Sequence, residues 1–290
     1  MQIHFDNEKS IPGVVGKTVL ELALEHQIAI THLCGGNARC STCRVIVLKG
    51  DAPPRTEKEE ILAKKLGFSE HVRLSCQLEG SKEITIRRVI NDQLDRKILS
   101  QSNNAEERQL AILFSDIRSF TTFSERHLPY DIVHILNRYF FRMGEAIENN
   151  NGIIDKYMGD GIMAIFGLEG EKHPAVLAYQ AAQEMLQKLD TFNEYLEGTY
   201  GETFKMGIGI HYGPVVVGNL GHPNSVSFTG IGDTVNVAAR IESATKGRAD
   251  ILVSESVYEA LGGADWESMD LELKGKTHSL KLFAPPPNAT

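Results

Sequence analysis

Several features that would place this chain in a familiar class are missing. No window of its 290 residues reaches the roughly 18 consecutive apolar residues of a membrane-spanning helix. The opening run Met1-Gln2-Ile3-His4-Phe5-Asp6-Asn7-Glu8 has neither a basic start nor an apolar core, so no export signal is read and the expected location is cytoplasmic. Basic charge is not in excess: 30 Lys and Arg stand against 38 Asp and Glu. Without a basic stripe to neutralise backbone phosphates, nucleic acid is not the expected partner. Low complexity is absent as well, and 42% hydrophobic content is enough for one large or two modest cores. Cysteine is scarce: Cys34, Cys40, Cys43 and Cys76 are the four, and none follows residue 76. A cytosolic chain seldom keeps such thiols as structural disulfides, so they need another use.

What is present divides unevenly. Residues 1 to 90 carry 13 basic and 11 acidic side chains and the remainder 17 and 27, and the length favours two domains. Residues 2 to 6 and 11 to 15 are short β-prone runs, and Thr18 caps a helix-like stretch reaching Gln27. The loop Cys34-Gly35-Gly36-Asn37-Ala38-Arg39-Cys40-Ser41-Thr42-Cys43 leads into the strand-like Arg44-Val45-Ile46-Val47-Leu48, and Cys76 follows Cys43 after 32 intervening residues. Three thiolates from one small-residue loop and a fourth from afar suit a [2Fe–2S] cluster, close to the plant-type C-x4-C-x2-C spacing. The glycines let backbone N–H groups approach the sulfurs. A four-thiolate zinc site competes, although zinc ribbons use two C-x2-C knuckles and one is present here; unligated buried thiols are the remaining alternative. The run Glu57, Lys58, Glu59, Glu60, followed by Lys64 and Lys65, reads as the solvated face of a helix.

This first part resembles the [2Fe–2S] ferredoxins of the adrenodoxin-like branch over about residues 1 to 90, through the cysteine loop, Asp51-Ala52-Pro53-Pro54 and Arg73-Leu74-Ser75-Cys76-Gln77-Leu78. The resemblance implies a β-grasp fold with Cys34, Cys40, Cys43 and Cys76 as cluster ligands. Such ferredoxins are commonly strongly acidic where they dock redox partners. The near-neutral balance here turns the expectation from a free electron carrier toward a sensor, with a redox partner of the domain retained as an expectation.

Ile90, Leu94 and Ile98 form a helical stripe, read as a helical linker over 91–107. Ala111-Ile112-Leu113-Phe114 is β-prone with Asp116 at its end, and a helix-like stretch begins near Ser119. An acidic group so placed can hold a cation while nearby N–H groups receive phosphate oxygens. Ile135, Leu136, Tyr139, Phe140 and Met143 recur at helical spacing and read as core. Gly152 to Gly167 reads as a β-hairpin turning at Gly159-Asp160-Gly161. Alone, Asp160 is a turn aspartate; with Asp116, 44 residues earlier, it becomes a candidate metal ligand. Phe204 to Asn219 alternates strongly and reads as a hairpin-like unit of central sheet, its glycines too common a feature to signal phosphate. In Phe228 to Glu242, Asp233 reads as a helix cap, while Asn236 and Arg240 share one helical face, solvated or substrate-facing.

Residues 108 to 284 resemble the class III adenylyl and guanylyl cyclase catalytic domain. The likeness rests on Phe114-Ser115-Asp116-Ile117-Arg118-Ser119-Phe120-Thr121, on Lys156-Tyr157-Met158-Gly159-Asp160-Gly161-Ile162-Met163-Ala164-Ile165-Phe166, and on the stretch ending at Arg240. It implies a ferredoxin-like βαββαβ fold, making the chain α+β overall, with 285–290 as a disordered tail. It also implies Asp116, Ile117 and Asp160 as ligands of two Mg²⁺ or Mn²⁺ ions, Lys156 and Thr229 as the purine-reading pair, and Asn236 as the ribose-orienting residue. Arg240 falls on the arginine that stabilises the transition state, and Lys276, with Lys274 as the alternative, on a triphosphate-binding lysine. The implied assembly is a head-to-tail homodimer, with the aspartates from one subunit and the base-reading residues from the other. The expected function is conversion of ATP to cyclic AMP and pyrophosphate, regulated by the ferredoxin part. Two other readings stand beside it: an electron-transfer ferredoxin tethered to a cyclase-like dimerisation module, and a nucleotide sensor without turnover.

Overall fold

The computed structural model describes residues 1–90, 105–222, 224–263, 265–272 and 279–286. Residues 91–104, most of the expected linker, lie outside the described residues, as do Lys274, Lys276 and the end of the tail. The chain divides into two compact units, Met1–Glu106 with Gly218–Ser227, and Glu107–Val217 with Phe228–Thr290. No described helix is long and apolar enough to cross a membrane.

In the first unit, strands β1 (Gln2–Phe5), β2 (Ser10–Pro12), β3 (Arg44–Lys49), β4 (Val72–Leu74) and β5 (Ile84–Arg88) form one sheet in the order β2-β1-β5-β3-β4. β1 runs parallel to β5, and the other pairings are antiparallel. Helix α1 (Val19–Glu25) buries Val19, Leu20, Leu22 and Ala23 in the core of this unit, which is the expected β-grasp arrangement. Thr18 and Glu21 close a capping box at its start, satisfying two backbone N–H groups that the first helical turn leaves open. The second β-prone run stops at Pro12 instead of reaching residue 15, because Pro12 already faces Gln2, the first residue of β1.

Helix α2 (Glu57–Leu66) corrects one reading. Glu59 is not on a solvated face: its side chain is 0% exposed and pairs with Arg73, itself 4% exposed. Arg73 donates through Nε at 3.0 Å and Nη2 at 2.8 Å, and the Leu74 N–H donates to the same carboxylate at 2.6 Å. Arg73 Nη1 also donates to the Pro53 carbonyl at 2.6 Å, so α2, the proline loop and the strand leading to Cys76 share one charge-assisted node.

The second unit runs β6 (Glu106–Ile117), α3 (Phe120–Ser124), α4 (Pro129–Asn149), β7 (Gly152–Met158), β8 (Gly161–Phe166), α5 (Pro174–Tyr200), β9 (Met206–His222), β10 (Ser225–Ile231), α6 (Asp233–Ala244), β11 (Ile251–Ser254), α7 (Glu255–Ala260), β12 (Glu267–Leu271) and β13 (Leu280–Ala284). Its sheet has the order β12-β13-β11-β9-β6-β8-β7, with β10 pairing β9. Strands β9-β6-β8-β7, with α4 and α5, make the expected βαββαβ unit. β6 begins at Glu106, so the end of the range read as helical linker is already strand. Pro129 and Pro174 start α4 and α5 at positions where the missing N–H costs nothing, and Gly201, at φ 68°, ends α5. One sheet face buries Leu113, Ile162, Ala164 and Phe166 with Tyr139, Met143, Met185 and Phe192 from these helices. The other buries Ile112, Met163, Ile165, Val215 and Val217 with Ala238.

The alternating run from Phe204 is not hairpin-like: β9 is one continuous strand of 17 residues. Gly213-Pro214, which looks like turn chemistry, sits inside it. A Cβ on Gly213 would meet Thr234 Oγ1 at 2.9 Å, so the glycine makes room for a helix and does not turn the chain.

Removing Glu59 would strand a buried guanidinium. Glu59→Ala is expected to lower the unfolding free energy by about 4 kcal/mol, against less than about 0.5 kcal/mol for Glu57→Ala on the exposed side of α2. Denaturant unfolding of the full chain measures both.

Candidate active site and cysteine loop

Strand register brings the two aspartates together. Ser115 of β6 pairs with Ile162 of β8, so Asp116, next to the last residue of β6, comes beside the Gly159-Asp160-Gly161 turn that joins β7 to β8. Gly161 has little room for a side chain: a Cβ there would lie 3.1 Å from the Ser115 carbonyl, 3.3 Å from the Met158 carbonyl and 3.6 Å from Asp116 Oδ1. Burial first, and then the charge and hydrogen bond of Asp116, push the Asp160 carboxyl up from 3.8 to about 6, against the pull of the Asp160 and Ile117 N–H groups. Beneath them lies Tyr139 of α4, fully buried; burial, then Asp160 and Asp116, raise its hydroxyl above the ordinary range. Ile117 buries its side chain and offers a cation only its backbone carbonyl. Two crowded carboxylates and the carbonyl of the residue next to Asp116 are oxygen donors of the kind a hard divalent cation takes, so the residues present fit the implied metal.

Lys156 and Thr229, far apart in sequence, meet. The Lys156 ammonium donates to Thr229 Oγ1 at 3.0 Å, across from β7 to β10. Gly230 lets β10 lie over the sheet, since a Cβ there would fall 3.0 Å from Val215 and 3.2 Å from Ile165. A third residue joins them that sequence reasoning missed: Asp155 Oδ2 accepts from the Thr229 hydroxyl at 3.0 Å and lies 3.0 Å from Lys156 Nζ. Plain strand alternation would send Asp155 and Lys156 to opposite faces. The pairing of β7 with β8 slips between Ile154, opposite Ala164, and Lys156, opposite Met163, so Asp155 is the extra residue of a bulge. That bulge turns the two side chains to one side.

Asn236 and Arg240 sit on the exposed face of α6, opposite the buried Thr234, Val237, Ala238 and Ile241. Asp233 is not the cap; it is the first helical residue, and Gly232 holds the cap position at φ 144°, which disfavours any side chain. The helix lies directly on β9: a Cβ on Gly209 would sit 2.1 Å from the Glu242 nitrogen. Arg118, two residues beyond Asp116, ties this end of α6 down by donating to Glu242 at 3.1 Å and to Thr245. Burial, then Asp116, raises the Glu242 carboxyl, and Arg118 opposes the rise. A cavity of about 670 Å³ lined by Arg118, Lys205, Arg248, Asp250 and Glu267 opens elsewhere in this unit; neither aspartate lines it.

In the first unit the four thiols fall into two pairs. Cys43 Sγ lies 3.5 Å from Cys76 Sγ, while Cys34 neighbours Cys40, whose sulfur is 3.1 Å from Thr42 Oγ1. Gly35, Gly36 and Ala38 have φ of 65°, 85° and 55°, which curls the loop so that its N–H groups turn inward. Burial would raise the Cys34 thiol, but the N–H of Arg39, the Cys40 thiol and the N–H groups of Asn37 and Cys40 outweigh it and lower it. Cys43 lowers Cys76 against burial, helped by the Ala38 N–H, and is itself raised by that contact and by burial. N–H groups aimed at sulfur and thiols set two by two fit two irons with two thiolates each.

Comparison with known proteins places both parts. Residues 103–283 match the model of the adenylate and guanylate cyclase catalytic domain. The chain belongs to that family. Residues 3–79 match the 2Fe-2S iron-sulfur cluster binding domain, so a [2Fe–2S] domain precedes the cyclase domain. Among curated relatives, an adenylate cyclase of Anabaena cylindrica is 41% identical over 189 residues, covering 62% of this chain and 37% of its own length. A terminal-differentiation-specific adenylate cyclase of Dictyostelium discoideum is 33% identical over 182 residues, covering 61% and 8%. The chain thus spans well under half the length of either. Among solved structures, the guanylyl cyclase Cya2 is 33% identical with a TM-score of 0.58, covering 64% of this chain and 97% of that one. The adenylyl cyclase CyaB of P. aeruginosa is 28% identical with a TM-score of 0.58, covering 62% and 95%.

The raised Asp160 carboxyl sets a pH dependence. A carboxyl protonated more readily in the folded state contributes stability fully present below its unfolded pKa, about 3.9, and lost as pH rises through about 6. The metal-free cyclase domain should therefore lose stability from this group between those values, and its affinity for Mn²⁺ should fall as pH drops below about 6. Asp116→Asn should move the Asp160 titration downward, read from its side-chain carboxyl ¹³C shift. A titration unmoved by that change would leave burial as the whole cause.

Proposed function

We propose that the chain is an adenylyl cyclase, converting ATP to 3′,5′-cyclic AMP and pyrophosphate at a homodimer interface under control of its [2Fe–2S] domain. The Lys156–Thr229 hydrogen bond carries this reading. Adenine offers N1 as an acceptor to an ammonium and its exocyclic amine as a donor to a hydroxyl oxygen. Guanine would set its N1–H against Lys156, and a mismatched polar group in a closed site costs about 1–3 kcal/mol, so ATP is favoured tenfold or more. The relatives named adenylate cyclase support the choice. Likeness to a guanylyl cyclase leaves the base open at the level of the family, so the reading of adenine rests on the side-chain pair.

Asp116, Ile117 and Asp160 are the residues for two Mg²⁺ or Mn²⁺ ions per site, which when bound activate the ribose 3′-hydroxyl and neutralise phosphate charge. Asn236 orients the ribose. Arg240, on the same exposed helical face, stabilises the charge that gathers on the α-phosphoryl and bridging oxygens as the 3′-oxygen attacks and pyrophosphate leaves. Lys276 takes the triphosphate. A head-to-tail homodimer joins the aspartates of one protomer to Lys156, Thr229, Asn236 and Arg240 of the other and makes two equivalent sites. Exposed Ile153, Met158, Phe228 and Ile231, close in sequence to Lys156 and Thr229 on β7 and β10, support an interface there. Cys34, Cys40, Cys43 and Cys76 hold the cluster of the domain that regulates the cyclase.

Anaerobically purified protein is expected to form cyclic AMP from ATP with Mg²⁺ or Mn²⁺, and to use GTP at least about tenfold less well. Activity should change reversibly between oxidised and dithionite-reduced protein. Equal activity in both states would remove redox control, and preferential cyclic GMP formation would overturn the substrate assignment. Arg240→Ala should lower kcat with little change in the KM for ATP; the opposite pattern would assign Arg240 to substrate binding.

A further inference from the structure

A threonine hydroxyl both donates and accepts. Beside Lys156, a freely rotating Thr229 would accept from the adenine amine or donate to guanine O6, so the pair alone leaves half of the base reading undecided. The structure removes that freedom. The Asp155 side chain is 0% exposed, and its Oδ2 takes the Thr229 proton at 3.0 Å while Lys156 donates to the same Thr229 oxygen at 3.0 Å. Asp155 Oδ1 is buried with no hydrogen-bond partner among the described residues, so this carboxylate is short of donors. An ionised carboxylate only accepts. The single Thr229 proton is therefore committed inward, and the Thr229 oxygen meets a base as an acceptor.

We infer that Asp155 is a positioning residue that fixes Thr229 as a hydrogen-bond acceptor and thereby enforces adenine over guanine. The inference rests on the adenylyl cyclase reading and names what makes its base preference two-sided. The adenine amine finds an acceptor at Thr229, whereas guanine O6 meets a lone pair there in addition to the clash of N1–H with Lys156. The β7 bulge makes this arrangement available, because it turns Asp155 and Lys156 to the same side of the strand.

Asp155→Asn tests it with cyclic AMP and cyclic GMP formation measured side by side. The amide can donate to the Thr229 oxygen, which frees the hydroxyl proton for guanine O6. The ATP-to-GTP ratio of kcat/KM should fall about tenfold, chiefly through the KM for GTP. A merely structural role would lower both activities alike and leave the ratio unchanged, and that result overturns the inference. In a Thr229→Val background, Asp155→Asn should no longer move the ratio, because nothing is left to orient; an undiminished effect there also overturns it. If wild-type protein makes neither product, the cyclase reading fails by itself, and the same ratio is taken from equilibrium binding of ATP and GTP to wild type and variant. If Asp155→Asn does not fold, Thr229→Asn replaces it: Asp155 should take the new amide N–H and leave its oxygen to the base, so preference for ATP persists. A switch to GTP in that variant would refute the orienting role.

Discussion

Asp116 and Asp160 repel each other, and the backbone holds them together. Antiparallel pairing of β6 with β8 and of β8 with β7 fixes where each strand ends, and Gly161 lets the turn close against the Ser115 and Met158 carbonyls. Side chains at this spot only add cost: burial and like charge both work against ionisation of Asp160. The rest of the cyclase domain is organised around keeping that register. Helices α4 and α5 cover one face of the strands, and α6 covers the other through the bare surface at Gly209. Arg118 then links the segment carrying Asp116 to the end of α6, so the strand with a metal-type carboxylate and the helix with Asn236 and Arg240 share one anchored corner.

Much of this was readable in the residues. The Gly159-Asp160-Gly161 turn announced a hairpin, and Ile135, Tyr139 and Met143 announced a buried helical face. Failures came where two local rules conflict with a tertiary one. Gly213-Pro214 has turn chemistry, yet the strand runs through it because the glycine is needed for close packing on Thr234. Asp233 looks like a cap, yet the cap position needs a φ that glycine supplies. Asp155 was invisible because alternation is the default for a strand and a bulge has no fixed sequence sign here.

The [2Fe–2S] domain shows the same division. Cysteine spacing and the glycines between them were enough to indicate a cluster loop, since few chemistries gather three thiols so closely. The Glu59–Arg73 pair was not, because a glutamate in a charged helix is ordinarily wet; only the fold reveals that Arg73, three residues before Cys76, needs it. The fourth thiol therefore follows a strand that charge-assisted bonds join to a helix and to the proline loop.

The bulge in β7 also bears on how this protein can be engineered. Deleting one residue there would restore regular pairing with β8, and a sheet with unbroken alternation is the more orderly object. Any search that ranks variants by thermal endurance alone would be drawn to such a deletion. It would return a more regular sheet in which one of two adjacent charges faces the wrong way, and the chain would keep its fold while parting the acid and the ammonium that now meet at one hydroxyl.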